Sequence, residues 1–370
     1  MAITLFRIKD FRNLSEVELV PCSRGLNIVY GDNGSGKTSL LESIYYLSLG
    51  RSFRTSLVSS LIRHSSEKFS LFAQLLNDAE RHIPIGMERN LSGVLHLRCE
   101  EKEATTITEL TALLPIRIIN CYSYQLLESG PAFRRKYLDW GLFYQTNQFL
   151  PCWRAYERAL KQRNVILRNR RPKKELDVWT MELVKYGEEL TKFRRDYVQT
   201  LSPFVIEMAK ELLSLSHLEI NYRVGWDETM DLTSALAHSY DYELRSGRTQ
   251  WGPHRSDLDI SINGLAAKHF LSRGQQKLLI CAMILAQGLL LSRDMNKKLI
   301  YLVDDLPSEL DWQSKRKLIS LLSRQQTQVF ITAIESKSIY ELMSDESELP
   351  IKVFHVKHGN VTVSETSSSW

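Results

Sequence analysis

The sequence predicts an α/β protein whose α/β part is interrupted by a helical segment. Strand-like stretches occupy the first 120 residues and return after about residue 218, whereas residues 131–215 contain few glycines and no convincing strand pattern. Within the helical segment, seven apolar residues from Leu176 to Tyr197 are spaced by three and four, which is typical of the seam between packed helices. We therefore expect an α/β head in two lobes with an inserted α-helical, short coiled-coil-like domain.

The individual elements follow from their apolar periodicity. Strands are predicted at 3–9, 17–20, 26–30, several times between 68 and 100, and at 114–120, 218–224, 258–264, 299–303 and 329–332, with a hairpin at the end. Helices are predicted after residue 37, at 131–144, after Pro151, at 175–213, 274–293 and 312–324. We expect three parts: the N-terminal part of the head (1–125), a helical arm (126–217), locally weakened by Gly187, and the C-terminal part of the head (218–370).

Composition and charge exclude several classes of protein. The five cysteines are scattered and lack a C-x-x-C pair, which argues against a disulfide framework or a zinc site and suggests a reducing compartment. We see neither a signal-peptide pattern nor an apolar run of the roughly 18 residues that a membrane span needs. We therefore expect a cytoplasmic protein with no membrane partner. The net charge of +5 permits a nucleic-acid partner without requiring one.

A glycine-rich loop between a predicted strand and a helix carries the strongest chemical signal. It fits G-x-x-x-x-G-K-[ST], in which backbone N–H groups cradle phosphates. Lys37 is expected to reach the β- and γ-phosphates, where it would serve catalysis as well as binding, and Thr38 is expected to ligate Mg²⁺. The predicted ATP-binding residues of this loop are Gly31, Asp32, Asn33, Gly34, Ser35, Gly36, Lys37, Thr38 and Ser39.

A second signal is an apolar strand that ends in two acids. After Leu299–Val303, Asp304 is expected to bind Mg²⁺ and Asp305 to orient the attacking water as a catalytic residue. Such a strand is common in isolation, so its meaning depends on the loop upstream.

The string LSRGQQK (271–277) decides the subclass. Alone it could be an ordinary helix start with a serine cap. Its position between the phosphate loop and the acids, with SELD (308–311) after them, is instead the motif order of ABC-type ATPases. Ser272, Gly274 and Gln275 would then form a second phosphate site at a helix N-terminus. Since one chain cannot normally reach both sides of its own ATP, we expect an ATP-dependent, head-to-tail homodimer.

Further strings make the chain resemble the RecF family, which is related to SMC-type ATPases. They include FRN (11–13), GRSFR (50–54), LLPIRIIN (113–120), ESGPAFRRKYLDW (128–140) and WGPHRSDL (251–258), and with the motifs above they cover most of the chain. The resemblance places Arg12, in the FRN string, among the nucleotide-binding residues. It implies ATP-dependent binding of single- and double-stranded DNA near gaps and cooperation with RecR and RecO in loading RecA. These roles belong to recombinational repair, the SOS response and replication-fork maintenance.

Departures from the wider ABC pattern predict slow chemistry. Arg273 replaces a glycine, Asp305 replaces the usual glutamate, and Ala333–Glu335 contain no switch histidine. We expect a slow, DNA-stimulated ATPase that works as a switch. Gln125 is only a candidate for the glutamine loop, and Ser256 stands where the family usually has an acid.

A basic run between Arg158 and Lys174 is the candidate DNA surface. The five residues expected to contact phosphates are Arg168, Arg170, Arg171, Lys173 and Lys174. The alternative is a solvated helix face. Arg134, Arg135 and Lys136 form a second small cluster.

Three other functions remain as alternatives. The chain could be an ABC-type nucleotide-binding subunit of another complex, including a transporter, but the basic arm and the missing histidine argue against a transporter. A small-molecule kinase would not need LSRGQ. A structural tether would need an arm longer than the roughly 58 Å that a helix over 175–213 spans at about 1.5 Å per residue.

Overall fold

The computed structural model describes residues 1–100, 102–215, 217–305, 310–343 and 349–364. These residues form two compact units. The first unit comprises 1–123 and 291–370, and the second comprises 124–290. Ser308 and Glu309 of the SELD string lie outside the described residues. The division into two head parts and an arm stays a prediction.

The strands are, in chain order, β1 (Ala2–Phe11), β2 (Leu14–Leu19), β3 (Gly25–Tyr30), β4 (Lys68–Leu76), β5 (His82–Asn90), β6 (Leu95–Cys99), β7 (Lys102–Glu103), β8 (Ile116–Ile119), β9 (Leu218–Arg223), β10 (Asp257–Ile262), β11 (Leu265–Ala266), β12 (Ile300–Val303), β13 (Gln328–Ala333), β14 (Ile351–Lys357) and β15 (Asn360–Ser364). The predicted strands are therefore confirmed in the described residues.

The α-helices are α1 (Lys37–Leu49), α2 (Ile107–Leu113), α3 (Gln125–Glu128), α4 (Pro131–Gln145), α5 (Phe149–Arg168), α6 (Lys173–Leu213), α7 (Leu232–His238), α8 (Tyr240–Ser246), α9 (Ala267–Phe270), α10 (Arg273–Met295), α11 (Trp312–Arg324) and α12 (Lys337–Tyr340). A 3₁₀ turn covers Val58–Ser60. The long helices match the predicted ones, whereas the short helices have no counterpart in the sequence analysis; these are α2, α3, α7, α8, α9 and α12.

The first unit contains two six-stranded sheets. One is antiparallel in the order β2-β1-β4-β5-β6-β7. The other has the order β15-β14-β3-β13-β12-β8, with only β15 antiparallel to its neighbour. A single apolar cluster joins side chains of both sheets and of α1, including Phe6, Leu47, Phe69 and Phe330. Because β3, β12 and β13 are parallel, the loops that follow them lie at one edge of the sheet.

The second unit combines the long helices with the antiparallel sheet β11-β10-β9. In α6, a Cβ on Gly187 would lie 2.9 Å from Leu232 Cδ2 and 3.3 Å from the ring of Tyr156. The helix is continuous through this position. The expected local weakening at Gly187 is therefore not seen as a break, because the missing side chain allows a close contact between α6 and its neighbours.

One helix is long and apolar enough to cross a membrane, which the sequence analysis did not expect of any segment. This helix is α10, and it qualifies by length and composition alone, because 72% of its apolar 18-residue stretch is buried inside the protein. Since a buried core helix meets the same criteria, this is weak evidence for a membrane span.

The structure corrects the interpretation of Arg163, which belongs to the basic run. Its side chain is only 2% exposed, and Nη2 lies 2.6 Å from Oε2 of Glu243, which is fully buried. Arg163 Nη1 also donates to Thr249 Oγ1 at 2.8 Å, and Nε donates to Thr180 Oγ1 at 3.0 Å. Arg163 thus ties α5 to α6 and α8 and is not available to DNA.

This buried pair predicts a large stability effect. Glu243→Ala leaves the Arg163 charge buried without its carboxylate, so we expect the free energy of unfolding to fall by about 3–5 kcal/mol. Urea unfolding followed by circular dichroism measures the change. The control is Glu175→Ala, which removes an exposed ion pair with Arg171 at 3.6 Å and should cost at most about 1 kcal/mol. Equal losses in both variants would contradict the assignment.

Candidate nucleotide-binding site

The phosphate loop lies between the buried strand β3 and helix α1. Its glycines at 31, 34 and 36 have φ angles of 149°, 79° and 124°, values that residues with side chains rarely adopt. A Cβ on Gly36 would lie 2.9 Å from Leu14 Cδ2, and one on Gly31 would lie 2.2 Å from the Val356 carbonyl oxygen. The loop conformation therefore requires glycine at both crowded positions.

The polar groups of this loop fit a phosphate ligand. Ser35 Oγ is buried and has no hydrogen-bond partner among the described residues. Lys37 Nζ, also buried, donates to the carbonyl oxygens of Gly31 at 2.7 Å and Asp32 at 3.0 Å. No side chain caps the N-terminus of α1, so its first amides remain available to an anion. The hydroxyl of Ser35, the ammonium of Lys37 and the first amides of α1 are donors, and the oxygens of a nucleotide phosphate would accept their hydrogen bonds.

The other polar residues of the phosphate loop are either exposed to solvent or in contact with Asn13. Asp32 and Asn33 are exposed, and Ser39 Oγ donates to Asn13 Oδ1 at 2.8 Å. Asn13 Nδ2 lies 3.3 Å from the Gly34 carbonyl oxygen and 3.2 Å from that of Ser35. The asparagine of the FRN string therefore braces the phosphate loop from the β1–β2 turn.

The two acids lie where the sequence predicts, directly after β12. Asp304 Oδ1 accepts hydrogen bonds from Thr38 Oγ1 and Thr332 Oγ1, both at 3.0 Å. The backbone N–H of Asp305 donates to Thr332 Oγ1 at 2.7 Å. The structure therefore joins Thr38 directly to Asp304, and Asp304 to Asp305 through Thr332. Thr332 is the penultimate residue of β13, the parallel strand next to β12, and the sequence analysis did not single it out.

The electrostatics of this carboxyl suit a bound cation. Burial raises the pKa of Asp304, the neighbouring Asp305 charge adds to the increase, and the two threonine hydroxyls oppose it. A divalent cation would reverse that cost because it favours the ionised carboxylate. The described residues contain no cluster of three or more His, Cys, Asp or Glu side chains. Mg²⁺ at Thr38 and Asp304 would therefore depend on phosphate and water for its other ligands, as it commonly does.

The surroundings of Arg12 differ from those of a free phosphate contact. Its guanidinium donates to both carboxylate oxygens of Glu42, at 2.9 and 2.8 Å, and to the Ser60 carbonyl oxygen at 3.0 Å. Glu42 lies on α1 and is fully buried, and it also accepts from Ser52 Oγ and lies 3.7 Å from Arg54. The nucleotide role of Arg12 stays a prediction, because here its charge is neutralised by Glu42.

The signature residues lie in the second unit, at the start of α10. Ser272 N donates to Gln275 Oε1 at 3.0 Å, and Gln275 N donates to Ser272 Oγ at 3.4 Å, so the two residues cap the helix reciprocally. Both side chains are exposed, and Gly274 is half-buried. Both readings of the string therefore remain open: the serine caps the helix, and its N-terminus faces solvent.

The five predicted DNA contacts share one location. Arg168 ends α5, Arg170 and Arg171 lie in the turn, and Lys173 and Lys174 begin α6; all five are exposed. We call these five residues the basic tip. Their exposure suits a phosphate contact, but it equally suits a solvated turn.

The second basic cluster, in contrast, is largely engaged inside the second unit. Arg134 forms a bidentate pair with Asp257, at 2.6 and 3.0 Å, and donates to the Ser129 carbonyl oxygen at 2.8 Å. Arg135 Nη1 donates to the Ser256 carbonyl oxygen at 2.7 Å, and burial lowers the pKa of this guanidinium. Of this cluster only Lys136 is exposed, so it is a poor DNA surface.

Ser256 belongs to a buried network. Its Oγ donates to the Pro253 carbonyl oxygen at 2.9 Å and accepts from Arg194 Nη1 at 3.1 Å. Arg194 also forms a bidentate pair with Asp139, at 2.9 Å for both bonds. The hydroxyl therefore contacts an arginine whose charge is already matched by Asp139.

Comparisons with known proteins identify the family. The model of the RecF/RecN/SMC N-terminal domain matches residues 2–362. The chain is 42% identical over 363 residues to the DNA replication and repair protein RecF of Cellvibrio japonicus, covering 98% of this chain and 99% of that protein. It is 40% identical over 365 residues to the RecF of Shewanella frigidimarina, covering 99% and 100%.

Solved structures agree with the sequence comparison. The recombination mediator protein RecF of the RecFOR pathway, solved with ATP, is 26% identical and covers 98% of this chain and 97% of its own, with a TM-score of 0.85. An Smc head domain from Pyrococcus furiosus, at 15% identity and a TM-score of 0.60 over 98% of this chain and 96% of its own, shares the fold. The predicted fold class is thereby confirmed, and the chain belongs to the RecF family of DNA replication and repair proteins.

Proposed function

We propose that the chain is an ATP-dependent DNA-binding protein of recombinational repair and replication-fork maintenance. The observation that carries the proposal lies at one edge of the parallel sheet, where Thr38 and Thr332 donate to Asp304 and the hydroxyl of Ser35, in the phosphate loop, has no partner among the described residues. It combines a buried hydroxyl that has no partner with a partly buried carboxylate whose pKa is raised by burial. A nucleotide phosphate would accept from the hydroxyl, and Mg²⁺ would favour the ionised carboxylate. The RecF relative solved with ATP supports the same ligand.

The chain's residues divide the work at this site. Lys37 and the amides of α1 would hold the phosphates, while Thr38 and Asp304 would hold Mg²⁺, which neutralises charge on the phosphate oxygens. Asp305 would orient the attacking water. Its carboxylate is one methylene shorter than the glutamate usual in ABC proteins, and the strand end lacks a histidine. Hydrolysis should therefore be slow, DNA-stimulated, and used to time a switch.

A second copy would complete the site. Ser272, Gly274 and Gln275 would approach the phosphates of the partner's nucleotide and close a head-to-tail homodimer. Hydrolysis would then reopen it. The exposure of Ser272 and Gln275 supports this role, because neither side chain is used to pack the second unit.

The closed dimer would act on DNA in the cytoplasm. The basic tip would contact phosphates of single-stranded, double-stranded and gapped DNA. The relatives in the RecFOR pathway support RecR and RecO as partners and the loading of RecA as the outcome, within the SOS response to DNA damage.

Nucleotide binding is tested at Lys37. Lys37→Ala removes the point charge on the phosphates, so ATP affinity should fall below detection in calorimetry while the melting temperature without ATP is retained. Lys102→Ala, at an exposed position on β7, is the control and should bind ATP normally. Normal ATP affinity in Lys37→Ala would refute the site.

Dimerisation is tested at Ser272. With a non-hydrolysable ATP analogue the wild-type chain should become a dimer in analytical ultracentrifugation. Ser272→Arg should stay a monomer and still bind the analogue, because the bulky side chain blocks only the partner's approach. Ser92→Arg, at an exposed turn of the first unit, should dimerise. A wild-type monomer at micromolar concentration would contradict the proposed switch.

DNA binding is tested by charge reversal in the basic tip. Arg168→Glu combined with Arg170→Glu and Arg171→Glu should weaken binding to gapped and uniform duplex alike and leave ATP-driven dimerisation intact. Fluorescence anisotropy at several salt concentrations measures how steeply the affinity falls with salt. In a plot of the logarithm of the binding constant against the logarithm of the salt concentration, the slope should be about −0.9 per phosphate neutralised, and it should be less steep in the variant.

The matched control reverses Arg81, Arg98 and Lys102, three exposed basic residues of the first unit. If this control loses DNA affinity and the basic-tip variant keeps it, the DNA surface lies on the first unit instead.

A further inference from the structure

A cluster of exposed aromatic and basic side chains on the second unit has no role in the function proposed so far. We propose that it binds an unstacked base of single-stranded DNA. We call it the aromatic site and define it by Tyr242, Gln250, Trp251 and Arg255. The inference rests on the proposed DNA-binding function, and it assigns the recognition of single strands to residues outside the basic tip.

Two adjoining depressions meet at this site. They have volumes of about 500 and 470 Å³, and Gln250 and Trp251 line both of them. Tyr242 and His238 line the first. Each volume lies within the range of about 300–1,000 Å³ that small-molecule sites occupy, so either depression has room for a nucleobase.

The rings at the site face solvent although they are large and apolar. Trp251 is 41% exposed and Tyr242 is 55% exposed. Neighbouring exposed aromatic residues generally mark a contact surface, because covering them with a ligand removes apolar area from water. Indole and phenol rings also stack on bases of any sequence, which is how proteins bind single strands.

The turn that carries Trp251 is rigid. Gly252 has a φ of 137°, and a Cβ there would lie 2.6 Å from the Tyr156 hydroxyl. That hydroxyl and His254 Nδ1 are 2.6 Å apart, and His254 Nε2 lies 3.2 Å from the Thr249 carbonyl oxygen. Because the carbonyl can only accept, Nε2 carries the proton and Nδ1 accepts from Tyr156. A fixed turn presents the indole without an ordering cost on binding.

Charge around the site favours a phosphate backbone. Arg245, Arg248 and Arg255 are exposed, and none has an ion-pair partner in the part of the chain that the structure describes. Two acids line the depressions as well: Glu228 lies 3.6 Å from Arg195, which offsets its charge, whereas Asp227 accepts from the backbone N–H and the hydroxyl of Thr229 and keeps its charge. Arg255, which lines the depression of about 470 Å³, therefore offers an unpaired cation to a phosphate of the bound strand, and Arg245 and Arg248 lie close to it in the sequence.

The aromatic site is also joined to the basic tip through α8. Lys173 Nζ lies 5.4 Å from the ring centroid of Tyr240, at the start of α8. A Cβ on Gly247, which follows α8, would lie 2.8 Å from Arg168 Cγ. A strand whose phosphates follow the basic tip would thus pass along α8 toward Trp251.

A single strand fits these observations better than a duplex. In a duplex the base faces are stacked on each other and cannot reach a ring in a depression. Single-strand sites combine a basic track with aromatic rings, which is the combination present here. A protein segment would use the rings but would bring no phosphates for Arg255 and the exposed arginines near it in the chain.

The test compares single-stranded with duplex DNA. With the full chain and ATP, binding of oligodeoxythymidylate is measured by anisotropy, and stacking is measured by quenching of a 2-aminopurine base within it. Trp251→Ala should weaken single-strand binding about 10-fold and abolish the quenching, since stacking is lost. Duplex affinity, ATP affinity and dimerisation should be unchanged. Trp251→Phe should recover most of the affinity.

One control variant and one further site variant make the outcome decisive. Met181→Ala, at a 73% exposed apolar position on α6 of the same unit, should change nothing. Arg255→Gln should weaken single-strand binding and reduce its salt slope. Normal oligodeoxythymidylate binding and quenching in Trp251→Ala would overturn the inference. The inference would be overturned in the same way if the variant lost binding only to a protein partner.

A wild-type chain that binds duplex but not single-stranded DNA would also overturn the inference while leaving the proposed function intact. A wild-type chain that binds neither would overturn the proposed function itself. Trp251→Phe separates loss of stacking from misfolding, because it keeps an aromatic ring in the same turn.

Discussion

A partly buried carboxylate at the end of a parallel strand is the constraint on which the rest of the first unit depends. Asp304 follows β12, and burial makes its charge costly unless neighbours compensate. Two threonine hydroxyls, from α1 and from the end of β13, do so in part. They can do so only because β3, β12 and β13 run parallel and end at one edge. Sheet topology thereby determines where the proposed nucleotide and its cation would bind.

A second buried carboxylate performs a similar task for the surrounding loops. Glu42 is fully buried on α1, and Arg12, Ser52 and Arg54 converge on it from two separate segments. Arg12 itself has a positive φ of 56°, an uncommon conformation that its contacts must maintain. Because these segments share one carboxylate on the phosphate-loop helix, a change in the position of α1 would affect both. A movement of the phosphate-loop helix would therefore reach Arg12 through Glu42, although the charge of Arg12 is already paired.

The local motifs could be predicted from the sequence because the residues that define each motif are neighbours in the chain. The phosphate loop, the acids after β12 and the long helices are each encoded within a few turns or one strand. Thr332 could not be identified, since its contact with Asp304 joins residues 28 positions apart. Arg163 was misassigned for the same reason: a run of basic residues shows charge but not the Glu243 that buries one of them. The helices α7 and α8 escaped detection because each has only seven residues.

The half-buried histidine in the WGPHRSDL string makes the stability of the turn after α8 depend on pH. Burial lowers the pKa of His254 to about 4 from its usual value near 6.5. The unfolded chain therefore binds a proton at a higher pH than the folded chain does. The stability that His254 contributes is complete above about pH 6.5 and is lost as the pH falls toward 4. Protonation would place a hydrogen on Nδ1, which then could no longer accept from Tyr156. Near pH 7 the imidazole stays neutral, so the hydrogen bond from Tyr156 to His254 that holds the turn with Trp251 is kept.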